Sequence, residues 1–246
     1  MISREQRHIG TIGYLGGIMS LPEPFTWSWG NLVAYSEEAL CSEGQHIHWD
    51  RTSLSLHDYA RNDLLTRMRG DWILMLDTDV AFEPDFAARL VRTMMAHNVD
   101  VLTGIYSFKK PPHFPVLYVF NQKTERHEIV ADWDREADLI ETHSAGAGCL
   151  LVKRHVFERI TSELKENPFD RFPGKGEDHS FFMRLRKLGI KAYCAPKIEL
   201  QHLAYWGIQP SVDYKPPATL DHQYDLEAMQ NAPALAVGER TAPQWQ

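Results

Sequence analysis

The segment Asp71-Trp72-Ile73-Leu74-Met75-Leu76 is almost unbroken in its apolar character and is followed at once by Asp77-Thr78-Asp79. A run of this kind fits a strand buried on both faces, which occurs where helices cover a largely parallel sheet. Two acids at the end of such a strand stand where open α/β sheets place their ligands. The chain has room for this architecture. It has 246 residues, 43% hydrophobic and 24% charged, enough for one large α/β domain with no disulfide or metal staple.

Segments of strand type and helix type alternate along the chain. Strands are expected at Ile9–Leu15, His46–Trp49, Asp71–Leu76, Asp100–Tyr106, Val116–Phe120, Leu139–Thr142 and Cys149–Val152. Two short strands, Ile190–Cys194 and Ile198–His202, are expected to close the set. Helices are expected at Phe25–Leu40, Leu54–Met68, from Pro84 onward, Arg154–Leu164 and Glu177–Leu188, where apolar residues recur at helical spacing. The pattern predicts an α/β/α sandwich over residues 1–210. Residues 211–246 hold four of the prolines and few aliphatics and are expected to form an irregular tail.

With 26 Lys+Arg against 33 Asp+Glu, the net charge is −7, which disfavours a broad non-specific nucleic-acid binder. Cys41, Cys149 and Cys194 form no CxxC pair and are odd in number, so a disulfide framework is not expected and a cytoplasmic location is. No apolar run reaches the roughly 20 residues of a transmembrane helix. The Ile9–Leu21 stretch, with four glycines and no convincing cleavage site, is not expected to be a signal peptide.

The chemistry concentrates in three places. In extended backbone the side chains of Asp77 and Asp79 would point the same way, and two carboxylates converging on one point call for a cation. A hard divalent ion that bridges to phosphate oxygens fits them. Gly174-Lys175-Gly176 leads into a helix whose first turn carries Glu177 and Asp178, and Asp178 is the candidate general base. His202 follows the last strand, where an imidazole would complete a mixed oxygen and nitrogen site that suits Mn²⁺ somewhat better than Mg²⁺. Ser144-Ala145-Gly146-Ala147-Gly148 would let backbone approach a ligand or would form a tight turn. Trp27, Trp29, Trp133 and Trp206 could stack on a ring but more commonly pack a core. Lys109-Lys110 and Arg184, Arg186 and Lys187 are expected on solvated faces.

Taken in order, these words resemble a family 2-like glycosyltransferase of the GT-A fold, of the type common in phages and bacteria. They are Ala60-Arg61-Asn62, Trp72–Val80, Gly104-Ile105-Tyr106, Gly146–Val152, Gly176-Glu177-Asp178 and His202, spread over roughly residues 8 to 206. The resemblance implies a Rossmann-like sandwich with a central mixed, mostly parallel sheet. It also implies a nucleoside-diphosphate sugar donor, a UDP-sugar first among them, and an acceptor hydroxyl deprotonated near Glu177 and Asp178. On this basis Thr11, Tyr14, Asp50, Arg61, Asp77, Thr78 and Gly146 are donor-side residues, and Asp77, Asp79 and His202 hold Mn²⁺ or Mg²⁺. Transfer would be inverting if Asp178 is the base and could be retaining if Asp178 only orients the acceptor. The acceptor class stays open between a hydroxymethylated base of phage DNA, a glycan and a protein hydroxyl. The first strand departs from the family, with Gly13-Tyr14-Leu15-Gly16-Gly17 in place of the usual Pro and Asn.

Three other classes explain less. A haloacid dehalogenase-type phosphatase also places DxD after an apolar strand, but it wants Thr or Val where Ala81 stands and puts the motif near the chain start. A dinucleotide-binding enzyme needs GxGxxG after the first strand, and Gly13, Gly16 and Gly17 do not supply it. A non-catalytic sugar-binding relative would have no need of the full set Asp77, Asp79, Asp178 and His202.

Overall fold

The computed structural model describes residues 7–17, 20–42, 44–54, 56–124, 126–204 and 207–208. The expected tail, 211–246, and Trp206 lie outside the described residues. In chain order the elements are β1 (Arg7–Leu15), α1 (Glu23–Leu40), β2 (Gln45–Thr52), α2 (His57–Arg67), β3 (Trp72–Leu76), β4 (Val80–Ala81), α3 (Phe86–Ala96), β5 (Val101–Ile105), β6 (Leu117–Asn121), β7 (Arg126–Ile129), β8 (Ile140–Thr142), β9 (Ser144–Ala145), β10 (Cys149–Lys153), α4 (Arg154–Arg159), α5 (Glu177–Lys187), β11 (Ala192–Glu199), β12 (Gln201–Leu203) and β13 (Gly207–Ile208).

The apolar run sits in the middle of a seven-stranded sheet of order β2-β1-β3-β10-β5-β11-β8. All five residues of β3 are buried, as are all five of β5. Strands β2, β1, β3, β5 and β11 run one way; β10 and β8 oppose them. This is the mixed, mostly parallel sheet of a GT-A Rossmann-like α/β fold. Helix α3 covers one face with Phe86, Ala87, Leu90, Val91 and Met94, an i, i+3/i+4 stripe whose larger side chains stabilise by about 1.5–3 kcal/mol each on burial. Helix α1 starts beside Pro22 and turns Phe25, Ser28, Leu32 and Ser36 inward at the same spacing.

Two small antiparallel sheets attach at the carboxyl-end rim. One is β13-β12-β4, the other β7-β6-β9. In the first, His202 pairs with Val80 and Gln201 with Ala81, so the chain returns to the residue that follows Asp79. The Leu203 N–H donates to the Asp79 carbonyl at 2.7 Å and fixes that return. In the second, Tyr118 pairs with Ser144, which carries the β6–β7 hairpin to the N-terminus of α5.

Three expectations change in detail. The two short final strands are one strand, β11, followed by β12, because the register against β5 jumps between Ala195 and Glu199 and Pro196 falls in that break. The helix from Arg154 changes to a π turn at Ile160–Leu164 and ends at Lys165 with φ 59°. Strand β7 has no apolar alternation in Arg126-His127-Glu128-Ile129; its pairing with β6 makes it a strand.

Candidate active site

The acidic triplet leaves β3 as a turn, not as extended backbone. The two carboxylates therefore reach different partners. Asp77 Oδ1 accepts from Arg61 Nη2 at 2.7 Å. Arg61, on α2, is 1% exposed and is the largest fully buried side chain among the described residues. Glu177 Oε1 lies 3.5 Å from Arg61 Nε, close enough to neutralise charge, while Arg61 Nε and Nη1 make no hydrogen bond. Burial would lower the Arg61 pKa, but Asp77 and Glu177 outweigh it and keep the guanidinium charged. The Asp77 N–H donates to the Gly148 carbonyl at 3.0 Å. A Cβ on Gly148 would come within 3.3 Å of Asp77 Oδ2, so this glycine keeps the space before that oxygen open.

Asp79 faces outward, with 41% of its side chain exposed. Its Oδ2 accepts from Lys109 Nζ at 2.6 Å and lies 3.4 Å from His202 Nε2. Burial alone would raise the Asp79 pKa; His202 and Lys109 outweigh it and hold the carboxyl well below the usual range. His202 Nδ1 is 2.7 Å from the Ser107 carbonyl, and its ring meets the Tyr106 edge at 5.1 Å. A carbonyl only accepts, so Nδ1 carries a proton. Nε2 is therefore the ring atom left to face the Asp79 carboxylate, and carboxylate plus imidazole is a donor set that Mn²⁺ accepts. Among the described residues no third His, Cys, Asp or Glu is already gathered around them, since Asp77 is turned to Arg61.

Asp178 lies half-buried in the first turn of α5, with Oδ1 accepting from the His179 N–H at 2.7 Å. A Cβ on Gly176 would stand 2.6 Å from Asp178 Oδ1, so only glycine leaves the carboxylate its place. Glu177 beside it is buried against Arg61, a position from which it balances the guanidinium. Tyr106 links the two sides: its hydroxyl accepts from the Gly148 N–H at 2.9 Å. Burial first, then Asp77, pushes this phenol well above its ordinary pKa. Gly146 is also required here, because a Cβ would collide with the Tyr106 hydroxyl. Its freedom of approach therefore serves packing.

A cleft of about 270 Å³ opens along Leu15, Gly17, Pro22, His57 and the triplet Asp77, Thr78 and Asp79. Several donor-side expectations fall elsewhere. Thr11 is fully buried, its hydroxyl bridging the Arg69 carbonyl and N–H at 2.8 Å each, well inside the sheet. Tyr14 packs edge-on against Phe25 and Trp29 in the core. Asp50 is engaged by Arg67 at 2.8 Å. Arg61 lies beneath Asp77 and reaches the cleft only through it. Arg184 is no solvated cation; it is 2% exposed and donates to the Asp170 carbonyl at 2.7 Å, with Glu166 beside it at 2.8 Å. Arg186 lies over the Phe120 ring at 3.8 Å. Lys109, read as a surface charge, sits on the second acid of the triplet. The Trp27 side chain is exposed, while Trp29 stacks against Phe25 and Trp133 is buried.

A family model described as "Glycosyltransferase like family 2" matches residues 53–220, more than half of the chain. No curated protein matches significantly. Among solved structures, the fold resembles A197 from STIV at 22% identity and TM-score 0.55, over 88% of this chain and 97% of that one. It also resembles GalNAc-T7, crystallised with UDP, GalNAc and Mn²⁺, at 8% identity and TM-score 0.56. That match covers 80% of this chain and 43% of GalNAc-T7, so the chain corresponds to under half of that protein's length. At these identities the structures establish the fold, the family model carries the classification, and the chain belongs to the family 2-like glycosyltransferases.

Proposed function

We propose that the chain transfers a sugar from a nucleoside-diphosphate sugar to an acceptor hydroxyl, with inversion, in a reaction that depends on Mn²⁺ or Mg²⁺. The observation that carries this reading is the return of β12, which sets His202 Nε2 before Asp79 at the carboxyl-end rim, on the cleft that Asp77 and Thr78 also line. Asp79 and His202 would hold the ion, and Asp77, which also lines the cleft, would join them only through the oxygen that Arg61 leaves free. A bound divalent ion supplies neutralisation of the charge that develops on the departing diphosphate.

The residues of the chain do the rest. Arg61 and Glu177 fix Asp77. Ser107 fixes the tautomer of His202. Asp178 takes the proton of the acceptor hydroxyl; that oxygen bonds to the anomeric carbon as the bond to the diphosphate oxygen breaks. A UDP-sugar is the first donor to test, supported by the UDP in the GalNAc-T7 structure. The acceptor is an alcohol, a glycan hydroxyl, a protein hydroxyl or a hydroxymethylated DNA base, and direct transfer assays separate the three. Truncation after Pro210 is expected to weaken transfer to the acceptor and to spare donor binding. Three free thiols support a reducing, cytoplasmic setting. No helix among the described residues is long and apolar enough to cross a membrane.

The test is hydrolysis of nucleotide sugars with Mn²⁺ and with EDTA, followed by transfer with Asp178→Asn. Release of nucleotide only with metal, and a loss of transfer by about 10²–10⁴-fold with donor binding intact, would support the assignment. Full activity in excess EDTA would remove the metal. Absence of any turnover of a bound donor would favour a non-catalytic sugar-binding protein.

A further inference from the structure

Each acid of the triplet has its own cation, and the two cations differ in how firmly they are held. Arg61 is sealed under Asp77 at 1% exposure, whereas Lys109 and Asp79 are 38% and 41% exposed. Lys109 reaches Asp79 from the loop between β5 and β6. The base of that loop is fixed. Ser107 bridges to Pro115, the Phe108 N–H donates to the Phe114 carbonyl at 2.8 Å, and Phe114 is fully buried. The Ser107 carbonyl also holds His202. Backbone position and ring orientation are thus set together, and the freedom left in Lys109 belongs to its four-carbon stem.

Resting on the metal reading above, we propose that Lys109 is an exchangeable cation. It occupies Asp79 while no divalent ion is bound, leaves when one binds, and then becomes a ligand of the donor diphosphate. The physical reasons are direct. An exposed ammonium–carboxylate pair is weak, so it yields to a divalent ion that gains both a carboxylate and an imidazole. Once the ion sits on Asp79, like charges expel the ammonium. It stays tethered within its own length of the site, where an ion-bridged diphosphate brings new negative charge. A lysine serves such a phosphate as a point charge. Ion binding would then precede donor binding, because the ion releases the side chain that the donor needs.

The experiment uses the full-length chain and two titrations. In the first, Mn²⁺ alone is titrated into metal-free wild type, Lys109→Ala and Lys109→Arg, followed by calorimetry or by the free-Mn²⁺ electron paramagnetic resonance signal. In the second, at saturating Mn²⁺, the most tightly bound of UDP, GDP and ADP is titrated into the same proteins. Lys109→Ala should bind Mn²⁺ about two- to fivefold more tightly and the nucleotide about tenfold more weakly. Lys109→Arg, which keeps the charge, should stay near wild type in the first titration. Opposite signs in the two titrations are the signature, since general damage to the site would weaken both. Unchanged or weaker Mn²⁺ binding by Lys109→Ala overturns the exchange alone. Unchanged nucleotide binding overturns the phosphate contact. A wild type that binds no Mn²⁺ removes the metal reading and the exchange with it.

Discussion

Asp77 and Asp79 are two residues apart and share a turn, yet they belong to different parts of the molecule. Asp77 joins a sealed side made of Arg61, Glu177 and the close approaches at Gly146 and Gly148. Asp79 joins an open side with His202 and Lys109 that solvent reaches. The difference shows how one motif can both build a site and serve a ligand. The first acid completes a buried charge cluster that sets the shape, and the second offers its oxygens outward. A sealed pair is costly to break because the survivor is left charged and buried, whereas an open pair is rehydrated when one partner goes.

The largest expected effect follows from that contrast. Arg61→Ala strands Asp77 and Glu177 beside each other and should cost about 3–5 kcal/mol in urea denaturation. Asp79→Ala should cost at most about 1 kcal/mol while abolishing transfer. Similar stability losses for the two variants would erase the distinction between the sides.

A second expected effect uses the ion. If Asp79 is a ligand, Mn²⁺ at a hundred times its dissociation constant should stabilise the wild type by about 2.7 kcal/mol, seen as a rise in Tm that EDTA reverses. Asp79→Ala should lose that rise. A mutant that keeps the full shift would place the ion elsewhere.

The frame of the site was readable because its signals are local. A run of buried strand residues followed by acids, glycines before a helix with acids in its first turn, and a histidine after a late strand all survive as patterns in one dimension. The central sheet, its helices and the return of His202 follow from them. What could not be read is ion pairing, which depends on side chains brought together across the chain. Arg61 and Glu177 are 116 positions apart and Lys109 and Asp79 are 30 apart, so nothing in their neighbours distinguished a clamp from a surface charge. Arg184 looked solvated because its helix is charged, but its inner face meets the carbonyls of Pro168 and Asp170. Thr11 looked like a donor contact because of where it lies in β1, and its hydroxyl closes the Arg69 backbone instead. The glycines were legible as flexible or close-approach positions, but what each of them makes room for was not. Gly176 and Gly148 each stand where a Cβ would crowd a functional carboxylate.

The β6–β7 hairpin sharpens the comparison with a third kind of environment, in which groups are kept neutral. Burial pushes His127 down to about 4, helped by His179, Arg186, Lys175 and His143. Burial likewise lowers His179, whose Nδ1 lies 2.7 Å from the Ser144 hydroxyl. An unfolded histidine titrates near 6.5, so the unfolded state takes up protons first as the pH falls. The stability these rings contribute is therefore complete above about pH 6.5 and declines as the pH drops toward 4. The decline should be about 1–2 kcal/mol once solvent access is allowed for. His127→Phe should flatten the pH profile of Tm over that window, and an unchanged slope would show that His127 does not set it.

The smallest expected effect is also the most direct comparison of the two sides. A double-mutant cycle on Lys109 and Asp79, without divalent ions, should give a coupling of about 0.5 kcal/mol at low salt. Exposed charges are screened over about 10 Å at 0.1 M salt and over about 3 Å at 1 M, so that coupling should fall toward zero as NaCl rises. The equivalent cycle on Arg61 and Asp77 should give several-fold more and hold nearly constant, because there is no room for salt around a guanidinium that is 1% exposed. If both couplings screen alike, Arg61 is open to solvent in solution and the sealed side is not sealed. If neither screens, Lys109 is held as firmly as Arg61, and the open side would no longer surrender its cation to an incoming ion.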